Sequence, residues 1–267
     1  MKIDYLNENQ INEYKNEGVI ILRGLFVNWI EKLQSGFEKV LNNPSEHARE
    51  NVNENNNGSF FEDYCNWQRI PEFKDFIENS PAAKIVAEAT KSTSVQIFHD
   101  HIFSKDPGTT KETPWHQDLP YYCVDGNDTG SLWIPLQNVS KENSLKVLRK
   151  SHKLNKLVKP TKWSTNKSWY KNNNNFIEIP NINENDKNIF NEDLNRGDAI
   201  LFNFKALHCS PGNKENKSRK AFSVRFIGDD VCYIDRGEET SPPYKNINLH
   251  NGQKLRKDWF PVVWSNK

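Results

Sequence analysis

The sequence predicts a mainly β domain with supporting α-helices. Helical spacing of apolar residues is confined to the first third of the chain, whereas period-2 segments bounded by turn residues dominate after Thr93. Helices first and strands after suggest a β core supported on one face. The length, 267 residues, lies in the range where an all-β barrel forms one domain. The expected organisation is therefore a single domain over 1–267: helical support over 1–92, a core over 93–230 with a loop or lid near 155–190, and a C-terminal extension over 231–267.

Taken in order, Leu6 to Glu17 reads as an amphipathic helix stopped by Gly18, followed by a strand, Val19 to Leu22. Asn28 is a candidate cap for a helix from Trp29 to about Leu41. Residues 42–58, rich in Asn and Glu, read as a loop. Pro71 and Pro81 suit first helical turns, and Ser80 is a candidate cap for a helix through Ala89. Strands are expected over 94–105, 113–118, 130–139, 144–149, 197–204 and 219–227, with turns at Pro107-Gly108 and Pro211-Gly212. The stretch 155–190, containing the polar tract Asn172 to Asn175, is the least regular and suits a loop over a site.

Lys and Arg number 36 against 35 Asp and Glu, a net charge of +1. That balance favours neither nucleic acid nor an anionic membrane as a partner. The four cysteines, Cys65, Cys123, Cys209 and Cys232, show no C-x-x-C spacing, which fits a reducing cytoplasm. Met1 to Asn16 carries no apolar signal-peptide core, and no apolar run approaches the ~20 residues of a membrane span.

The chemistry is expected at Trp115-His116-Gln117-Asp118. Residues i and i+2 of a strand share a face, so His116 and Asp118 would aim an imidazole and a carboxylate at one point. Two histidines and one carboxylate on one side of a metal leave positions open for reaction. His208, after the apolar run Ala199 to Phe202 and before Ser210-Pro211-Gly212, is the best third ligand. Arg219 follows eleven residues later, within reach of a hairpin, and a guanidinium fork suits a carboxylate. Each element alone has a plainer reading: H-x-D as a surface strand end, Arg219 as a solvated charge in a basic turn.

Several ordered segments together are more specific. Pro114-Trp-His-Gln-Asp-Leu-Pro-Tyr-Tyr122, Ser131-Leu-Trp-Ile-Pro-Leu136, Ser151-His-Lys153, Gly197 to Phe202, Leu207-His-Cys-Ser-Pro211 and Arg219 to Phe226 resemble the phytanoyl-CoA dioxygenase family of 2-oxoglutarate oxygenases. The resemblance covers most of the chain and is strongest from Val95 to Asp230. It implies a double-stranded β-helix, a cupin-like jelly-roll, with Fe(II), 2-oxoglutarate and O2 as cofactor and co-substrates. His116, Asp118 and His208 match the catalytic iron ligands, and Arg219 the arginine that binds the far carboxylate of 2-oxoglutarate. Ser210, Gln117 and Trp133 match positions lining the co-substrate pocket, and Lys105 a pocket lysine. Asn143 to Lys150 departs from the family's glycine-containing run. The implied reaction hydroxylates a small molecule and releases succinate and CO2.

Asp118 argues against a halogenase, whose iron needs an open position for halide. A zinc hydrolase also uses two histidines and a carboxylate, but a convincing general base is missing. A barrel that has lost catalysis and only binds a metal, ligand or partner is the non-enzyme alternative. His99 and His101 share a strand face with Lys105 and either line the pocket or pack. His152, Trp115, Tyr121 and Tyr122 are further candidates near the site, while Cys123 and Cys209 read as small buried residues. From Asn143 to Ile177 there are lysines and arginines but no Asp or Glu, with Trp163, Trp169 and Tyr170 among them. This stretch carries the expectation of a basic lid and an anionic substrate, against the plainer reading of a solvated lysine-rich loop.

Overall fold

Antiparallel pairing organises the chain. The computed structural model describes residues 4–52, 58–163, 167–172 and 174–266. Within them α1 (Glu8–Glu17), β1 (Val19–Leu22), α2 (Ile30–Asn42), β2 (Arg49–Val52), β3 (Ser59–Tyr64), α3 (Pro71–Asn79) and α4 (Ala82–Thr90) precede β4 (Ser94–Lys105). Next come β5 (Thr113–His116), β6 (Val124–Asp125), β7 (Thr129–Pro135), β8 (Lys146–Leu148), β9 (Thr161–Lys162) and β10 (Lys167–Ser168). The last strands are β11 (Ile189–Phe190), β12 (Ala199–Phe202), β13 (His208–Ser210), β14 (Arg219–Ile227), β15 (Cys232–Tyr233) and β16 (Val262–Ser265).

The larger sheet runs β1-β12-β7-β14-β4-β3-β2, with β16 also on β4; the smaller runs β11-β8-β13-β5. Residues of both sheets line one cavity between them, which makes the fold a jelly-roll. The outer face of the larger sheet packs on the helices. Ile30, Leu33, Phe37 and Val40 of α2 and Phe73, Phe76 and Ile77 of α3 are fully buried and join Phe222, Val224 and Phe226 of β14 in one core. Each such side chain contributes roughly 1.5–3 kcal/mol by leaving water.

A bulge in β4 decides what faces the cavity. Arg225 of β14 pairs with His99 and Phe226 with Ile97, so Phe98 is an extra residue in the ladder. Before it, Val95 and Ile97 join the helix-side core; beyond it, His99, His101, Phe103 and Lys105 line the cavity, while Ile102 joins the helix-side core. Were Phe98 accommodated in a regular, unbulged strand, the alternation would send Ile97 and His99 to the same side.

Several expectations need correction. Asn28 caps nothing: Val27–Trp29 forms a 3-10 turn without a side-chain cap and leads into α2. The loop expected over 42–58 contains β2, which pairs with β3 at the sheet edge; residues 53–57 lie outside the described residues. The C-terminal extension is part of the sheet, since β16 pairs with β4 through Val262↔Gln96 and Ser265↔Ser94. Pro81, not Ser80, is the N-cap of α4, and it makes no side-chain cap bond. Gly18 ends α1 at φ 76°, as read, and Asn7 and Gln10 form a reciprocal cap at its start. A Cβ on Gly18 would also meet the His152 ring at 2.3 Å.

Candidate active site

His116 ends β5 and pairs across the ladder with His208, which opens β13. Cross-strand partners share a face, and the two imidazole centroids lie 4.1 Å apart. Asp118 is not on that strand. The chain leaves β5 at Gln117, and Asp118 (φ −71°, ψ −44°) begins a 3-10 turn over Leu119–Tyr121. The curl of that turn, rather than strand alternation, returns the carboxylate to the histidines. Asp118 Oδ1 is 3.7 Å from Nε2 of His116 and 3.7 Å from Nε2 of His208. One donor atom from each of the three buried residues lies within 4.8 Å of the others.

The surrounding bonds leave the right atoms free. His116 Nδ1 lies 2.8 Å from the Pro114 carbonyl and His208 Nδ1 lies 3.0 Å from the Ala206 carbonyl. A carbonyl only accepts, so each Nδ1 carries the proton and each Nε2 presents a lone pair. Asp118 Oδ2 accepts from Ser131 Oγ at 3.0 Å and lies 3.4 Å from Arg225 Nε, leaving Oδ1 to the histidine side. Burial, reinforced by His116, pushes His208 down to about 3. Burial works to raise the Asp118 carboxyl, but Arg225 and the two histidines outweigh it and hold it well below the usual range. Two imidazoles that present Nε2 and one carboxylate at this spacing suit a single divalent ion with bonds of about 2.0–2.2 Å.

Arg219 opens β14 opposite Lys105. Its guanidinium is buried and donates to the Asn143 carbonyl, to Ser210 Oγ at 2.8 Å and to the Pro211 carbonyl at 3.0 Å. Burial pushes it down to about 10, and among the described residues it makes no ion pair. A buried guanidinium without a carboxylate is matched to an anion. Lys105 stands beside it, donating to the carbonyls of Ser210 (3.1 Å) and Pro211 (2.9 Å) with its ammonium over the Phe60 ring. Arg219, Lys105, Ser210, Trp133 and the metal-binding triad all line one cavity of about 520 Å³.

Gln117 does not join them, and its expected place in the co-substrate pocket is corrected. Its amide donates to the Lys205 carbonyl at 2.5 Å and accepts from Val158 N–H at 2.7 Å. Its two hydrogen-bonding ends thus tie the segment after Leu157 to the Lys205 backbone. That segment reaches the site. Trp163 lies edge-on to His116 with centroids 4.9 Å apart and donates to the Tyr121 hydroxyl at 3.3 Å.

Of the cations between Lys146 and Lys171, Lys162 lines the cavity, whereas Arg149, Lys150 and Lys159 pair with Glu13, Glu17 and Glu178. Residues 164–166 and 173, part of the expected lid, lie outside the described residues. Glu62, Arg49 and Tyr64 from β2 and β3, and Glu238 and Glu239 from the C-terminal segment, also line the cavity. None was legible as a site residue, because no local motif marks them. His99 and His101 do line it, as their shared face with Lys105 allowed. His152 instead packs against α1, its Nε2 3.1 Å from the Lys15 carbonyl.

A family model described as phytanoyl-CoA dioxygenase (PhyH) matches residues 14–221. The chain belongs to the phytanoyl-CoA dioxygenase family. Peroxisomal phytanoyl-CoA dioxygenase of Homo sapiens is 26% identical over 92% of the chain and 78% of its own length. The Arabidopsis thaliana phytanoyl-CoA dioxygenase is 26% identical over 65% of the chain and 61% of its own length. Among solved structures, the epimerase SnoN, in complex with Fe3+, α-ketoglutarate and nogalamycin RO, superimposes with a TM-score of 0.74 at 14% identity, covering 96% of this chain and 98% of SnoN. The carbocyclase SnoK gives 0.73 at 16%, covering 97% of each chain. EctD from S. alaskensis gives 0.64 at 16%, covering 90% of this chain and 80% of EctD. These likenesses establish the shared fold. Membership of the phytanoyl-CoA dioxygenase family makes this a dioxygenase of the Fe(II)- and 2-oxoglutarate-dependent class. No helix among the described residues is long and apolar enough to cross a membrane.

Proposed function

We propose that the chain hydroxylates a small molecule, releasing succinate and CO2 from 2-oxoglutarate. The observation that carries this reading is the pairing, in one cavity, of a His-Asp-His donor set with a buried arginine that lacks a carboxylate. His116, Asp118 and His208 would hold Fe(II), and Arg219 with Ser210 would orient the far carboxylate of 2-oxoglutarate. When bound, Fe(II) with 2-oxoglutarate and O2 supplies the oxidising power that the side chains lack. The residues supply position and dryness. Ser131 and Arg225 hold Asp118 with one oxygen free, the Pro114 and Ala206 carbonyls fix the imidazole tautomers, and Trp163 and Tyr121 cover His116. Trp133 packs in the same wall, and Lys105 places a second hydrogen-bond donor beside Arg219.

Lys162, Trp163, Trp169, Glu238 and Glu239 all line the cavity that holds the triad, and Trp169 Nε1 donates to the Glu239 carbonyl at 2.9 Å. Lysine and glutamate together at the cavity lining give an anionic substrate no clear advantage over a neutral one. The test is succinate formation from 2-oxoglutarate with Fe(II) and O2. It should occur in the native chain and vanish in His208→Ala. Succinate formation that persists in His208→Ala, or that never depends on Fe(II), removes the triad from the reaction.

A further inference from the structure

We propose that His99 and Arg225 form a substrate-anchoring subsite beside the metal-binding triad, and that it takes a neutral hydroxyl group on a largely apolar molecule. The inference deepens the oxygenase reading, on which it rests for what the anchored molecule undergoes.

The two residues are cross-strand partners on β4 and β14, both buried and both lining the cavity. The bulge at Phe98 is what turns His99 toward that side. Each carries a buried polar atom with no hydrogen-bond partner among the described residues: Nε2 of His99 and Nη1 of Arg225. Buried polar atoms are normally satisfied, so two orphans on one cavity wall mark a place where a ligand supplies the missing bonds. Their neighbours do not fill the gap. His101 Nε2 lies 3.4 Å from Glu62 Oε2, so those two atoms face each other. Arg225 Nε donates to the Tyr122 hydroxyl at 2.8 Å and lies 3.4 Å from Asp118 Oδ2, which leaves Nη1.

The polarity of the two orphans selects the group. His99 Nδ1 is 3.1 Å from the Asp100 carbonyl and must carry the proton, so Nε2 is an acceptor. Burial, and then Arg225, keep the ring neutral. Arg225 Nη1 is a donor. A hydroxyl satisfies both, donating to His99 and accepting from Arg225. A carboxylate would meet the lone pair of His99, and its charge would compete with Asp118, which already balances Arg225. An ammonium would satisfy His99 but stand against the guanidinium. Phe103, Trp133, Tyr121 and Trp163 supply apolar surface in the same cavity. Because Arg225 also touches Asp118, a hydroxyl held here sits one side chain away from the metal ligands.

The experiment uses the full chain with Zn(II) as a redox-inert ion and saturating 2-oxoglutarate. Cyclohexanol, cyclohexanecarboxylate and cyclohexylamine, matched in size and differing in the anchoring group, are titrated by ligand-observed NMR. Cyclohexanol should bind best, weaken about fivefold or more in His99→Phe, and stay within about twofold in His99→Gln, which keeps an acceptor. Zn(II) binding and melting temperature report that each variant is folded. The proposal is overturned if His99→Phe leaves cyclohexanol binding unchanged, or weakens the carboxylate or amine as much as the alcohol. It is equally overturned if His99→Gln behaves as His99→Phe does. Binding is read without turnover, so the two claims separate. Succinate formation without His99-dependent alcohol binding sinks the subsite alone; the reverse sinks the oxygenase reading alone.

Discussion

Single hydrogen bonds set the properties of this site, and the clearest is the one from Ser131 Oγ to Asp118 Oδ2. It orients a metal ligand without touching the metal. Ser131→Ala should therefore weaken divalent-ion affinity by about 10–100-fold, measured by titrating the protein with Co(II) or Mn(II). Unchanged affinity would show that Arg225 alone orients the carboxylate. Arg219 carries a different role. Its removal should raise the 2-oxoglutarate requirement by at least about tenfold, consistent with the 2–5 kcal/mol cost of unpairing a buried charge, while leaving metal affinity in place. If Arg219→Ala binds 2-oxoglutarate normally, the anchor moves to Lys105, which stands opposite it on β4.

Elements act by placing these residues. Gln117, between two metal-ligand positions in sequence, ties Val158 and Lys205 together rather than touching the co-substrate space. Its partners hold the segment that carries Trp163 over His116. Gln117→Ala leaves the buried Val158 N–H without its acceptor, at about 1–3 kcal/mol, and the half-buried Lys205 carbonyl without its donor. Limited proteolysis should then cut within 155–190 several times faster, with 2-oxoglutarate affinity nearly unchanged. A large loss of that affinity instead would restore Gln117 to the co-substrate pocket. The turn at Gly18 is a second junction, joining α1 to β1 at positive φ and touching the His152 ring. Gly18→Ala should cost on the order of 1 kcal/mol or more, visible as a lower denaturation midpoint.

Across the whole molecule, burial of histidines couples stability to pH. His99, His101 and His208 all have depressed pKa values, caused first by burial. The unfolded chain binds protons at these side chains below pH ~6.5 while the folded chain does not, so stability falls as pH drops through that region. Each contributes up to about 1.4 kcal/mol per pH unit. Asp100, pushed up to about 7 by burial, and Asp128, also raised by burial, work in the opposite direction, whereas His152, likewise depressed by burial, adds to the histidines' side. The metal-free protein should therefore melt at a lower temperature at pH 5.5 than at pH 7.5. An equal or higher melting temperature at pH 5.5 would mean that these histidines stay accessible to protons when folded.

Much of this was legible in the linear chain. Strands β4 and β14 were expected with their observed bounds, because alternation and flanking turns are local signals. The residues His116, Asp118, His208 and Arg219 stood out because their residue types and order restrict the chemistry. Other features depended on partners distant in sequence. Arg49–Val52 is a strand only because β3 offers it an edge, and Glu238 and Glu239 come to the cavity from a segment with no motif. Strand alternation would have carried Asp118 to its position, but a 3-10 turn does so instead. One inserted residue, Phe98, sends His99 to the cavity, and its effect is visible only when β4 is laid against β14. Sequence alone determined which chemical groups are present and which local elements they favour, since propensity and periodicity act over a few residues. Which side chains meet was decided by the tertiary structure, because ladder register and closure between the sheets join residues about a hundred positions apart.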